Sequence, residues 1–186
     1  DKRISVVKGG LSDAWALVQL TEKADVVLHV AGVVAGLARQ DFFAPNVDGT
    51  VALAEAAQCN GVKQFIYVSS LAAKVPLLNN YAASKAAAEA ALQNYAAKMC
   101  LTILRPAAVY GPDDTATLPL LKSLLARVAI IPGSATAQFS MVHVQDVAVA
   151  LADAVSNQRH GTFEIDDGSG GHSWQEISNI SRAAFG

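Results

Sequence analysis

Tyr81 and Lys85 are two side chains of this sequence whose types and spacing suit acid–base chemistry. They bound the segment Tyr81-Ala82-Ala83-Ser84-Lys85, which opens an alanine-rich stretch. On a helix, side chains four residues apart leave from one face and can reach a common point. A free phenol has a pKa of about 10, and an adjacent ammonium can lower that pKa by roughly 1–3 units. The pair could therefore move a proton to or from an alcohol or carbonyl oxygen, although an amphipathic tyrosine and a surface lysine would show the same spacing.

The composition narrows the class of protein that could hold such a pair. The 186 residues are 52% hydrophobic and 16% charged, with a net charge of −2. This is the length of one domain with a real core, and it excludes a disordered chain. Because there is no basic run, we expect no nucleic-acid partner and no membrane surface. The longest uncharged stretch, 128–145, is broken by Pro132, Gly133 and His143, so no membrane span is predicted.

The cysteines and histidines point to neither a disulfide framework nor a metal site. Cys59 and Cys100 have no metal-ligand spacing with any of the four histidines. We therefore predict no metal and, with no signal-peptide pattern, a reduced cytoplasmic location.

Short apolar runs alternate with helical stretches along the whole chain. Strands are predicted at 4–7, 25–30, 65–68, 101–104, 129–131, 139–142 and 162–165, and helices at 13–21, 46–60, 81–98, 117–127, 145–156 and from Ser173 onward. This alternation predicts an α/β fold with a Rossmann-like doubly wound parallel sheet. Ligands of such sheets bind beyond the carboxyl ends of the strands, where this chain places Ala31 with Gly32 and Ser69 with Ser70.

Six segments in order resemble the extended short-chain dehydrogenase/reductase family, the superfamily of NAD-dependent epimerases and dehydratases. They are His29 to Gly32, Asn46 to Thr50, Tyr67 to Ser70, Tyr81 with Lys85, Leu104 to Pro106 with Val109 to Pro112, and His143-Val144 with Asp146. Each motif alone is weak, but their order and spacing are specific. The resemblance covers about residues 5–165.

The resemblance implies a nicotinamide enzyme, with NAD or NADP as cofactor. In it Tyr81 is the acid/base, Lys85 lowers the pKa of Tyr81 and binds the nicotinamide ribose, and Ser70 holds the substrate oxygen. The cofactor would be lined by Leu11, Ala31, Gly32, Val33 and Ala107, together with Tyr81 and Lys85. The implied function is an NAD(P)-dependent oxidoreductase or an epimerase/dehydratase. The alternative is a non-catalytic nucleotide-binding or assembly protein of the same fold.

Three further motif residues are expected to have structural roles. Asn46 would tie loops together, His29 would be a satisfied core histidine, and Asp146 would cap helix 145–156 or fix a loop.

The sequence departs from the family pattern at its start. The family begins with a strand and a Gly-x-x-Gly-x-x-Gly turn that holds the pyrophosphate, and this chain begins at Asp1 with neither. Gly10 also stands where the family has an acidic residue. We therefore expect an incomplete fragment, with a dinucleotide-binding domain at 1–165 that lacks its first βαβ unit, and the start of a truncated substrate region at 166–186.

Two features bear on the substrate. Ala108 stands where sugar-nucleotide members commonly have asparagine, and only ten residues separate Ser70 from Tyr81. We expect a small-molecule substrate, either a sugar nucleotide or an apolar ketone or alcohol. The resemblance also implies a homodimer through helices 46–60 and 81–98.

Overall fold

The computed structural model describes residues 4–114, 123, 134 and 137–185. The strands are β1 Val26–His29, β2 Gln64–Val68, β3 Cys100–Pro106, β4 Ala108–Tyr110, β5 Gln138–Phe139, β6 Met141–His143, β7 Gly161–Ile165 and β8 His172–Ser173. The α-helices are α1 Ala14–Thr21, α2 Arg39–Phe43, α3 Gly49–Cys59, α4 Asn80–Leu92, α5 Val144–Ser156 and α6 Trp174–Phe185. A π-helical turn, Ala44–Asp48, joins α2 to α3, and short 3₁₀ turns cover Leu71–Lys74 and Gln93–Tyr95.

The main sheet has the strand order β1-β2-β3-β7. Strands β1, β2 and β3 are parallel, with Val27 opposite Phe65 and Phe65 opposite Leu101. Parallel neighbours need a crossover connection, which α2 and α3 provide between β1 and β2, and α4 provides between β2 and β3. The carboxyl ends of these strands therefore lie along one edge of the sheet.

One face of this sheet is packed by α1, α3 and α4. Alternate strand residues point to the same face, and here these are Val27, Phe65, Tyr67, Leu101 and Ile103. They form one buried cluster with Leu17 of α1, Leu53 of α3 and Leu92 of α4. Because each such side chain contributes about 1.5–3 kcal/mol on full burial, this face holds much of the fold's stability.

The opposite face packs against the last turns of α5. Ile66 is buried there, and Gln64 Nε2 donates a hydrogen bond of 2.8 Å to the carbonyl of Ala154. Helices thus lie on both faces of the sheet, and on the second face Leu28 of β1 stays 49% exposed. The predicted α/β, Rossmann-like doubly wound sheet is confirmed.

Side chains cap the first turns of α1 and α4. Asp13 Oδ1 accepts a hydrogen bond of 3.1 Å from the N–H of Ala16, and Asn79 Oδ1 accepts one of 2.8 Å from the N–H of Ala82. Such caps satisfy N–H groups that the first turn of a helix leaves free. They fix the starts of α1 and α4.

The predicted strand at 4–7 is wrong. Ile4 and Val6 are 70% and 81% exposed, and within the described ranges no strand pairs with this segment. A strand forms through hydrogen bonds to a neighbour, so an apolar run without a partner stays irregular. The predicted helix 81–98 is also shorter, because α4 ends at Leu92 and a 3₁₀ turn follows. The predicted helix 117–127, apart from residue 123, and the predicted strand 129–131 lie outside the described residues.

The chain divides into two compact units. The first contains residues 1–105 and 150–164, and the second contains 106–149 and 165–186. In the second unit β4 pairs with β6 in parallel, β5 pairs with β8 in antiparallel, and the rings of Phe139 and Trp174 lie 4.2 Å apart. The predicted division at residue 165 stays a prediction.

Every helix within the described ranges is too short or too polar to cross a bilayer.

Candidate functional site

Ser70 is placed by the end of β2. It follows Val68 and Ser69, and its Oγ accepts a hydrogen bond of 3.2 Å from the N–H of Ala72, which starts the 3₁₀ turn Leu71–Lys74. The N–H of Ser69 donates to the carbonyl of Leu104 at 2.7 Å, so β3 holds the end of β2 in place. Ser70 therefore stands at the sheet edge where the fold predicts ligands to bind.

Lys85 reaches this same edge from the second turn of α4. The residue is 4% exposed, and its Nζ donates to the phenol oxygen of Tyr67 at 3.2 Å and to the carbonyl of Val68 at 2.9 Å. Burial lowers the pKa of Lys85 to about 8, while the charge of Glu89 acts in the opposite direction. An ammonium held inside the protein at the end of a strand is a costly arrangement, which is typical of a functional site.

Tyr81 opens α4 one turn before Lys85. Burial raises the pKa of Tyr81, and a side-chain hydrogen bond with Ser70 acts to lower it. The spacing of four residues predicts that Lys85 lowers this pKa, whereas the net shift of the Tyr81 pKa is upward. The reason is physical: the phenol is partly desolvated, and the Lys85 ammonium is directed at Tyr67 and Val68. The phenol is thus held protonated near neutral pH.

Gly32 lets the loop after β1 approach Lys85. A Cβ at this position would lie 3.3 Å from Lys85 Nζ and 3.2 Å from Asn46 Oδ1. A side chain would therefore fill the space beside the ammonium. Ala31 is exposed and Val33 is half-buried next to it, so this loop borders the site with backbone rather than with bulky side chains.

Asn46 fastens that loop to α4. Its Oδ1 accepts from the N–H of Val33 at 2.7 Å, and its Nδ2 donates to the carbonyl of Val33 and to Ser84 Oγ, both at 2.9 Å. The expected role of Asn46 in tying loops together is confirmed. Asn46 lies in the π-helical turn, a feature that often occurs at functional sites.

His29 is a core histidine, as predicted. It is buried, and its Nε2 lies 2.8 Å from Thr50 Oγ1. Because the Thr50 hydroxyl donates to the carbonyl of Asn46 at 2.7 Å, it accepts its other hydrogen bond from His29 Nε2. Burial, followed by the charge of Lys85, lowers the pKa of His29 to about 4. The ring is therefore neutral at physiological pH.

Leu11 and Ala107, the two remaining predicted cofactor residues, are held by other contacts. Leu11 packs on the start of α3, where a Cβ on Gly49 would be 2.7 Å from the Cβ of Leu11, and it borders a groove of about 610 Å³ with Pro45 and Ala52. Ala107 belongs to the second unit, where it is buried and its N–H donates to the carbonyl of Ile165 at 2.9 Å. The structure brings together Ser70, Tyr81, Lys85, Gly32 and Val33.

Two residues of the site, Tyr67 as a partner of Lys85 and Glu89, were not predicted from the sequence. Glu89 accepts hydrogen bonds from Ser69 Oγ and from Arg105. A signal for Glu89 was present, because Tyr81, Lys85 and Glu89 continue one spacing of four residues. The Tyr67 contact joins a strand to a helix and has no such local signal.

The model of the NAD dependent epimerase/dehydratase family matches residues 1–165. This chain belongs to that family. The predicted membership is thereby confirmed, and the expected nicotinamide cofactor class agrees with a family that is NAD-dependent.

Several relatives resemble this family member over most of its length. The ceramide reductase of Caulobacter vibrioides is 42% identical over 179 residues, which cover 95% of this chain and 55% of that protein. The dTDP-D-glucose 4,6-dehydratase of Mus musculus is 33% identical over 181 residues, which cover 83% of this chain and 51% of that protein. The crystal structure of the Bordetella bronchiseptica enzyme WbmG in complex with NAD has a TM-score of 0.80 at 26% identity, covering 98% of this chain and 63% of that one. The chain thus spans about half the length of the curated relatives that it matches.

Proposed function

We propose that this chain carries the acid–base site of an NAD(P)-dependent oxidoreductase, in which Tyr81 exchanges the proton, Ser70 holds the substrate oxygen and Lys85 supplies the local positive charge. The observation that carries the proposal is the buried Lys85 ammonium, 2.9 Å from the carbonyl of Val68 at the end of β2, on the same helix face as Tyr81. Together with Ser70, whose side chain acts to lower the pKa of Tyr81, this gives one proton donor and one positive charge at a single strand end.

The residues at this edge fit a flat nicotinamide. Ala31, Gly32 and Val33 would line the cofactor, because Gly32 keeps the space beside Lys85 free of a side chain. Lys85 would bind the nicotinamide ribose, and Leu11 and Ala107 are proposed as further cofactor contacts. When bound, the nicotinamide supplies or accepts a hydride.

The protein's own part of the reaction is the proton. In reduction Tyr81 donates its phenolic proton to the substrate oxygen and regains one from solvent, and in oxidation it accepts the proton of the substrate hydroxyl. Ser70 donates a hydrogen bond to that oxygen. Since burial raises the pKa of Tyr81, the phenol is protonated at neutral pH, which favours the direction of reduction.

For the substrate we favour an apolar ketone or alcohol over a sugar nucleotide. The loop between Ser70 and Tyr81 exposes three aliphatic side chains, Val75, Leu77 and Leu78, at 55%, 98% and 66%. Exposed aliphatic side chains at a site suit an apolar ligand. The name of the Caulobacter vibrioides relative agrees with this choice, while the dehydratase relative supports the sugar-nucleotide alternative.

The predicted homodimer through helices 46–60 and 81–98 is part of the proposal. Ala83, Ala86 and Ala87 of α4 are partly exposed, and small side chains allow close approach of a second helix.

Replacing Tyr81 with phenylalanine tests the proposal, because the variant loses the phenol and keeps the ring. We expect the intact protein to oxidise NAD(P)H with a long-chain ketone and to lose about 10²–10⁴-fold in kcat in Tyr81→Phe. Tyr95→Phe is the matched control, since the Tyr95 hydroxyl contacts the exposed Glu55 at 3.3 Å.

Turnover of a dTDP- or UDP-sugar without net consumption of NADH would instead favour an epimerase or dehydratase. Unchanged turnover in Tyr81→Phe would overturn the acid–base role. Absence of turnover with every substrate, together with retained dinucleotide binding, would favour the non-catalytic alternative.

A further inference from the structure

Glu89 is a buried carboxylate on the same face of α4 as Tyr81 and Lys85. It is 7% exposed and lies eight residues after Tyr81 and four after Lys85. Burying a charged carboxylate costs several kcal/mol unless strong partners replace its water. The rest of this helix is largely alanine, so packing alone gives no reason for a carboxylate at this position.

The partners of Glu89 are all donors. Ser69 Oγ donates to Oε1, Arg105 Nε donates to Oε1 at 3.0 Å and to Oε2 at 3.2 Å, and Arg105 Nη2 donates to Oε2 at 2.5 Å. A carboxylate surrounded by donors, one of them a bidentate guanidinium, is in its ionised form. Arg105 is in turn 4.0 Å from Glu164.

These contacts join three elements at the candidate site. Ser69 precedes Ser70 at the end of β2, Arg105 lies near the end of β3, and Glu89 reaches both from α4. Fixing the Ser69 side chain limits how the next residue, Ser70, can turn.

Glu89 lies one helical turn after Lys85, and its charge acts to raise the pKa of Lys85. His29 faces it from β1, Tyr67 from β2, and Tyr81 and Glu89 from α4 itself. His29 is neutral because its pKa is lowered to about 4, and burial raises the pKa of Tyr67 and Tyr81. Among these described neighbours, Glu89 is the one that is negative at neutral pH.

We infer that Glu89 is a positioning residue of the site, which keeps Lys85 cationic and fixes Ser69, and through it Ser70, at the end of β2. The inference rests on the proposed function of Ser70, Tyr81 and Lys85. Glu89 itself contacts Ser69 at the end of β2 and lies one helical turn from Lys85. It does not contact the reacting atoms.

Titration of Lys85 by NMR in the intact protein tests this inference independently of turnover. Lysine labelled with ¹³C at Cε reports each side chain, and Lys85→Arg assigns its signal. We expect the Lys85 pKa, about 8 in the wild type, to fall by about 1 unit in Glu89→Gln and to stay near the wild-type value in Glu89→Asp. Glu55→Gln is the matched control, because Glu55 is exposed on α3.

The pH–rate profile supplies the second readout. The loss of kcat on the alkaline side should begin about 1 unit lower in Glu89→Gln, and Glu89→Asp should restore it. If the wild type has no turnover, the proposed function fails while the NMR titration still decides on Glu89.

A second variant covers a failure of Glu89→Gln to fold. Glu89→Gln combined with Arg105→Gln replaces the ion pair by two amides, so the Arg105 guanidinium is not left without its carboxylate partner. The Lys85 pKa should again fall in this double variant, since the Glu89 charge that raises it is removed. A Lys85 titration that stays at its wild-type pH in whichever variant folds would overturn the inference.

Discussion

The ammonium of Lys85 illustrates what local spacing does and does not determine. The interval of four residues places Lys85 on the helix face of Tyr81, as the sequence predicts. Its hydrogen bonds go to Tyr67 and Val68 on a neighbouring strand, and no interval along the chain encodes them. The direction of the Tyr81 pKa could not be predicted for the same reason, because it follows from tertiary burial.

Adding one methyl group at Gly32 should destabilise the fold. In Gly32→Ala the added Cβ would lie 3.2 Å from Asn46 Oδ1 and 3.3 Å from Lys85 Nζ, and both neighbours are held by hydrogen bonds. We expect a loss of about 1–3 kcal/mol in the free energy of unfolding, measured by urea denaturation.

Gly10→Ala is the control for this substitution, because nothing lies within 4 Å of a Cβ there. The control should be neutral or slightly stabilising, since alanine reduces the entropy of the unfolded chain. Equal unfolding free energies for the two variants would contradict the close approach of Gly32 to its neighbours.

The helical segment before β2 shows the limits of periodicity at the level of elements. The predicted helix 46–60 corresponds to α3 and part of the π-helical turn, while α2 was not predicted. Five residues are too few to display a helical repeat, and Pro45 in the turn has no N–H to donate. The strands at 25–30, 65–68 and 101–104 were predicted because continuous apolar runs mark strands that are covered on both faces.

Asn46 connects three of these elements, and its removal should be costly. Asn46→Ala would leave the N–H and carbonyl of Val33 without their partner, and it would remove the bond to Ser84. We expect the free energy of unfolding to fall by about 1–3 kcal/mol for each buried group left unpaired.

Asn60→Ala provides the comparison, because Asn60 Nδ2 donates to the carbonyl of Val18 at an exposed site and to Oγ1 of the buried Thr21. Water can replace the exposed bond to Val18, and Thr21 Oγ1 keeps its own bond to the carbonyl of Leu17, so this variant should lose less than Asn46→Ala in the same denaturation experiment. A larger loss in Asn60→Ala would show that Asn46 does not fasten the loop.

At the scale of the whole molecule, the alternation of strands and helices was sufficient to predict the parallel sheet. It was not sufficient for residues 4–7, since an apolar run becomes a strand only beside a partner. The buried network of His29, Thr50 and Asn46 also depends on the assembled fold. His29 was predicted as a core residue, but its hydrogen-bond partner required three elements to be in place.

The stability of the folded protein should fall in mild acid because of His29. Its pKa is about 4 in the folded state and about 6.5 when unfolded, so the unfolded state binds more protons between these values. The contribution of His29 to the free energy of unfolding is fully present above pH 6.5 and is lost as the pH falls toward 4. It amounts to about 3 kcal/mol.

Urea denaturation across this pH range measures the effect. In His29→Gln the free energy of unfolding should depend less steeply on pH between 6.5 and 4, whereas a variant of the exposed His160 should follow the wild-type curve. Parallel curves for the wild type and His29→Gln would show that His29 is not held neutral by burial.

The strand order of the main sheet also bears on how the molecule assembles during synthesis. β7 lies beside β3, yet residues 107–160 separate them along the chain. Closing so long a segment has a larger entropic cost than forming the contacts among β1, β2 and β3. Glu164, which contacts Lys74 at 2.8 Å and Arg105 at 4.0 Å, arrives on this late strand. The contacts of Tyr81, Lys85 and Glu89 with β2 and β3 therefore involve only residues that are made before β7, whereas the ion pairs of Glu164 can close only after β7 has been made.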